Sequence, residues 1–149
     1  MNIDADIGDI AHAIQLAVAP VFLLTGLAGL LSVMTNRLAR VIDRARTIEA
    51  AWPRLDTDAR GTARLEIANL QRRHRACSWS INFCTSAALL ICLVIITLFT
   101  DEFINTNLTW AAGGLFVGAM ISLSCGLTWF LREVYLATHT TTIDPKRFQ

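Results

Sequence analysis

AHAIQLAVAPVFLLTGLAGLLSVMT (residues 11–35) runs straight into NRLARVIDRARTIEAAW (residues 36–52), and the join between them decides the fold. Apart from His12, the first part carries no titratable side chain. At 1.5 Å per residue its length is about 37 Å, more than the roughly 30 Å apolar layer of a bilayer. The second part opens on Asn36 and Arg37 and keeps Val41, Ala45, Ile48 and Trp52 as an apolar stripe among charged residues. A single helix, capped by Asp9 and starting at Ile10 or Ala11, is therefore expected to cross the membrane and continue into water until Pro53 stops it. Pro20 removes a backbone donor inside the span, which predicts a kink there.

Downstream, Asp56-Thr57-Asp58 reads as a turn and N-cap. A helix with Ala59, Ala63, Ile67, Leu70 and His74 on one face returns from about Thr57, which predicts an antiparallel helical hairpin over 36–75. The second span covers 77–100. Its first half is polar (Ser78, Ser80, Asn82, Thr85, Ser86) and its second half is hydrocarbon, so the first is expected to be buried and the second to face lipid. Asp101–Asn107 reads as an exposed turn. The third span covers 108–131, where Gly114, Gly118, Ser122 and Gly126 form a small-residue ridge for close helix packing. Trp129, Arg132 and Tyr135 mark its interface, and the tail 138–149 is expected to be poorly ordered. The whole is one all-α integral membrane domain, 1–149, with three transmembrane helices. The first two extend into a cytoplasmic hairpin.

Composition agrees, with 54% hydrophobic residues and a mean hydropathy of +0.47. The net charge of +1 hides a strong asymmetry: ten of thirteen Lys and Arg fall between Arg37 and Arg75, whereas Asp4, Asp6, Asp9, Asp101 and Glu102 flank the other ends of the spans. That bias predicts a multi-pass inner-membrane protein with the 36–75 segment and C-terminus cytoplasmic and the N-terminus periplasmic. The acidic lead and long apolar run argue against a cleavable signal peptide.

Gln15, Ala19, Phe22, Gly26, Gly29, Val33, Asn36, Arg40 and Asp43 recur at alternating steps of four and three. Small and polar residues on such a seam imply protein neighbours, leaving Leu23, Leu27, Leu30 and Leu31 to lipid. Three spans rarely enclose a path alone. A closed homo-oligomer with the first-span helices nearest the axis is expected.

The run Gln15-Leu16-Ala17-Val18-Ala19-Pro20-Val21-Phe22-Leu23-Leu24, followed by Asn36-Arg37-Leu38-Ala39-Arg40-Val41-Ile42-Asp43-Arg44, resembles a bacterial membrane family catalogued as domain of unknown function 2721. The likeness covers roughly Ala11 to Tyr135. It implies a small bacterial inner-membrane protein with three spans and no assigned activity, and it transfers no functional residues.

Chemistry is sparse. Cys77, Cys84, Cys92 and Cys125 lie in or at the edge of spans without a Cys-x-x-Cys pair, and His12, His74 and His139 are scattered. With no phosphate loop, metal-ligand spacing or nucleophile elbow, neither an enzyme nor a cofactor or metal site is expected. His74 reads as an interhelical histidine and His12 as a possible pH sensor at the outer interface. The basic block allows three readings. Arg37, Arg40, Asp43 and Arg44 with Arg72, Arg73 and Arg75 can form a hairpin clasp, with Asp43 pairing Arg40 or the returning arm. They can hold anionic lipid headgroups. They can also ring a pore mouth. Nucleic acid is not expected as a partner, because Asp43, Glu49, Asp56, Asp58 and Glu66 interleave the arginines. Two functions follow: an oligomeric ion channel or pore lined by Gln15, Phe22, Gly26, Asn36 and Arg40, or a non-conducting scaffold or accessory subunit binding lipid or a cytoplasmic partner.

Overall fold

The computed structural model describes residues 3–104 and 108–139, with side chains from 14 to 101 and from 108 to 135. Three helices make it up: α1 (Ile3–Ala51), α2 (Thr57–Ile104) and α3 (Thr109–His139), with a short 3-10 turn at Trp52–Arg54. All three are long and apolar enough to cross a membrane, and the described residues include no strand. Helix α1 begins at Ile3, so Asp9 lies within it and is not its cap. The helix continues through Pro20. Helix α2 runs past Asp101 to Ile104, shortening the turn expected over 101–107. Asp101 instead caps α3: its Oδ1 accepts from the Leu108 amide at 2.9 Å and its Oδ2 from the Thr109 hydroxyl at 2.8 Å. His12, His139 and the tail beyond residue 139 lie outside the residues whose side chains are described.

The central helix is α2, packing against both others. Buried positions repeat every seven residues in each helix: Leu27, Met34, Val41 and Ile48 on α1, and Ala63, Leu70, Cys77, Cys84 and Ile91 on α2. Helix α3 continues the pattern with Ala112, Ala119, Gly126 and Glu133. A sustained seven-residue repeat is the register of left-handed supercoiled helices. It builds two clusters. Leu27, Met34, Cys84, Ala87, Ile91 and Ala119 fill the spanning part. Val41, Ile48, Ala63 and Leu70 join the basic extensions of α1 and α2, where Arg44 Nε reaches Glu66 Oε1 at 2.7 Å.

Two expectations are corrected here. Leu27 is buried, and Leu23, Leu30 and Leu31 are half-buried against the same core rather than turned to lipid. Side chains of that size fill the gap between α1 and α2, which glycine at 26 and 29 would leave as voids. In α2 the buried stripe extends from Ala76 to Val94, so it is not confined to the polar half. Ser80 is buried, while Asn82, Thr85 and Ser86 are exposed.

Helices α2 and α3 come close together at Gly126. A Cβ there would stand 2.7 Å from Cys84 Sγ and 3.2 Å from both the Cys84 nitrogen and the Ser80 carbonyl oxygen. The approach lets the Ser80 hydroxyl donate to the Gly126 carbonyl at 2.7 Å, and one turn away Ser122 donates to the Phe83 carbonyl at 2.8 Å. Gly118 faces Leu90 at ordinary contact distance, and Gly114 faces open space within the protomer.

Candidate functional site at the basic end

Glu133 continues the buried ridge of α3, one heptad after Gly126, at the point where the apolar run of α3 gives way to Arg132. Its side chain is 0% exposed. A carboxylate withdrawn from water that far needs cationic partners, and both neighbouring helices supply one. Arg37 of α1 donates from Nη1 to Oε2. Arg73 of α2 donates from Nη2 to Oε1 at 3.0 Å and from Nε to the same oxygen at 3.3 Å. The two arginine side chains are 28% and 30% exposed, so each keeps part of its hydration. Arg37 also lies 5.4 Å over the Phe130 ring. One carboxylate thus ties all three helices at a single level and leaves a local surplus of one positive charge.

Basic clefts open on either side. Arg37, Arg40, Val41 and Arg73 line one of about 320 Å³. Arg72, Arg75, Ala76, Trp129 and Arg132 line the other, of about 330 Å³. Farther out along the extensions, the hydrogen bond and charge of Glu66 push the Arg44 guanidinium above its already high ordinary value.

The residues singled out in the sequence separate into three places. Arg37 and Arg73 meet at Glu133, and Arg44 pairs with Glu66. Among the described residues, Arg40 and Asp43 form no ion pair with one another, nor does Asp43 pair with Arg72, Arg73 or Arg75; the α3 carboxylate takes Arg37 and Arg73 instead. Exposed His74 borders an apolar groove with Ile67 and Leu70. Gln15, Ala19, Phe22, Gly26, Gly29, Val33, Asn36, Arg40 and Asp43 all lie exposed along one face of α1. Gly118, Ser122 and Gly126 meet α2.

Glu133 itself escaped the sequence reading. Its signal was available: it is the one acid between Glu102 and Asp144, spaced by seven from Ala112, Ala119 and Gly126. An ionisable residue in register with a small-residue ridge at the end of a span implies a buried partner.

These features define a multi-pass α-helical membrane protein whose three spans are locked at one end by a shared carboxylate. Residues 17–143 match the family described as "Protein of unknown function (DUF2721)", and the chain belongs to that family. No curated protein and no solved structure matches it.

Proposed function

We propose that the protein assembles as a homo-oligomeric inner-membrane channel, with α1 of each copy nearest the axis. What carries the reading is the chemistry of the uncovered α1 surface. Between residues 25 and 36 its exposed positions are Thr25, Gly26, Ala28, Gly29, Ser32, Val33, Thr35 and Asn36, seven of them small or polar. The exposed positions of α3 include Trp110, Phe116, Val117, Ile121, Leu127 and Leu131, which suit lipid. Small and polar surfaces in a bilayer gain by packing on protein or lining water, not by facing acyl chains. The protomer's own core is filled by Leu27, Met34, Cys84, Ala87, Ile91 and Ala119, so an ion path runs between copies. On that path Gln15 and Asn36 are polar, Phe22 is a candidate constriction at 73% exposure, and Arg40 favours anions at the basic mouth. With the arginines cytoplasmic, the Glu133 clasp sets the angle at which α1 leaves the membrane.

The test pairs mass photometry in mild detergent with anion flux into liposomes. Expected are a defined oligomer and a leak that Arg40→Ala and Gly26→Leu each reduce. A monomer counts against assembly, and a leak unaltered by both variants ends the channel reading, leaving a non-conducting scaffold.

A further inference from the structure

Two arginines of the basic end are committed to Glu133, but Arg72, Arg75 and Arg132, which line the second cleft, have no such partner. Among the described residues the ion pairs are Arg37–Glu133, Arg73–Glu133 and Arg44–Glu66, and none involves these three. They share the cleft of about 330 Å³ with Ala76 and Trp129. Three guanidinium groups around one cleft repel one another unless an anion stands between them.

At Trp129 the cleft adjoins an aromatic column. Arg132 lies 5.1 Å over the Trp129 ring. Trp129 stacks on Trp79 with centroids 6.4 Å apart, and Trp79 meets Phe83 at 5.8 Å. This aromatic column leads from the arginines toward the spanning part, beginning where Ala76 enters the apolar stretch of α2 and Leu131 ends that of α3. Half-exposed Trp79 leaves the column accessible from the side. A soluble phosphate would use only the basic half of such a site. An amphiphile with a phosphate at its head uses both.

We propose that this cleft binds an anionic phospholipid, its phosphate held among Arg72, Arg75 and Arg132 and its acyl chains lying along Trp129, Trp79 and Phe83. The site lies on α2 and α3, away from the exposed seam of α1, so it stands whether or not the assembly conducts.

Native mass spectrometry of the full chain, released from mild detergent after incubation with phosphatidylglycerol or phosphatidylcholine, tests this. Phosphatidylglycerol is expected to be retained preferentially. Each arginine near a membrane surface is worth roughly fivefold in affinity, so the Arg72→Gln, Arg75→Gln, Arg132→Gln triple should lose about a hundredfold. The control triple Arg46→Gln, Arg54→Gln, Arg60→Gln removes the same charge elsewhere and should retain the lipid. Trp129→Ala should weaken lipid retention while leaving the charge intact. Equal retention of both lipids, an equal loss in the control triple, or full displacement by millimolar inorganic phosphate overturns the proposal. Should the first triple fail to fold by circular dichroism, Arg132→Gln alone decides. A loss of about fivefold supports the site, and unchanged retention refutes it.

Discussion

Substituting both guanidinium groups that hold Glu133 tests the clasp most severely. In the Arg37→Met, Arg73→Met variant the carboxylate, 0% exposed, loses its three charge-assisted hydrogen bonds at once. Removing a buried charge's partners costs about 3–5 kcal/mol. Because Arg37 and Arg73 are themselves 28% and 30% exposed, water screens part of that attraction, and about 3 kcal/mol is the expected loss. Either single substitution leaves the other arginine in place and should cost about 1.5 kcal/mol, the lower value for a hydrogen bond to a charged group. The decisive variant adds Glu133→Leu to the double. It removes the stranded charge and substitutes apolar packing, so stability should recover by about 1 kcal/mol or more although a third wild-type residue is gone. Unfolding by SDS titration in mixed micelles, followed by far-UV circular dichroism, reads all four variants. A triple variant as unstable as the double, or a double within about 0.5 kcal/mol of wild type, refutes the argument that Glu133 depends on these two arginines.

Gly126→Ala should destabilise by about 1–3 kcal/mol in the same titration, because its Cβ would stand 2.7 Å from Cys84 Sγ with two backbone atoms close behind; Gly118→Ala, 3.8 Å from Leu90, should be near neutral. Equal effects at the two positions would contradict the close approach at Gly126. Asp101→Ala removes both hydrogen bonds that start α3 and should cost about 1 kcal/mol, seen as faster amide exchange confined to residues 108–111. Unchanged exchange there would deny the cap.

The all-helical architecture and the three spans were legible because each rests on a local quantity. About 25 uncharged residues cross a bilayer wherever they occur, and Thr57 starts α2 where Asp56 breaks the chain. Helix ends were harder, since α1 reaches back to Ile3 and α2 on to Ile104 through mixed acidic and apolar residues whose pattern marks no boundary. The clasp was hidden for a different reason. Arg37 and Arg73 are separated from Glu133 by 96 and 60 residues, and ten clustered arginines give no hint which two will be chosen. Nearby Asp43 looked the nearer partner for an arginine. Only the register of α3 selects Glu133, by placing position 133 on the buried ridge.

A similar ambiguity of register explains why the leucines of the first span are expected at lipid but lie in the core. Helix α1 carries two stripes with the same alternating steps of four and three. One holds Leu24, Leu27, Leu31, Met34, Leu38, Val41, Ala45 and Ile48; the other holds Ala19, Phe22, Gly26, Gly29, Val33, Asn36, Arg40 and Asp43. At 3.5 residues per turn they lie roughly 150° apart around the helix, so one faces α2 only if the other faces away. Spacing cannot choose between them, because both stripes obey it equally. Volume can. Inside a single chain α2 presents Cys84, Ala87 and Ile91, whose modest side chains leave a groove that leucine and methionine fill. The glycine-bearing stripe suits a neighbour whose own backbone comes close, and α2 is already engaged on the opposite side. A helix with two such stripes can pack on two partners at once: α2 covers one stripe, and the proposed assembly would use the other.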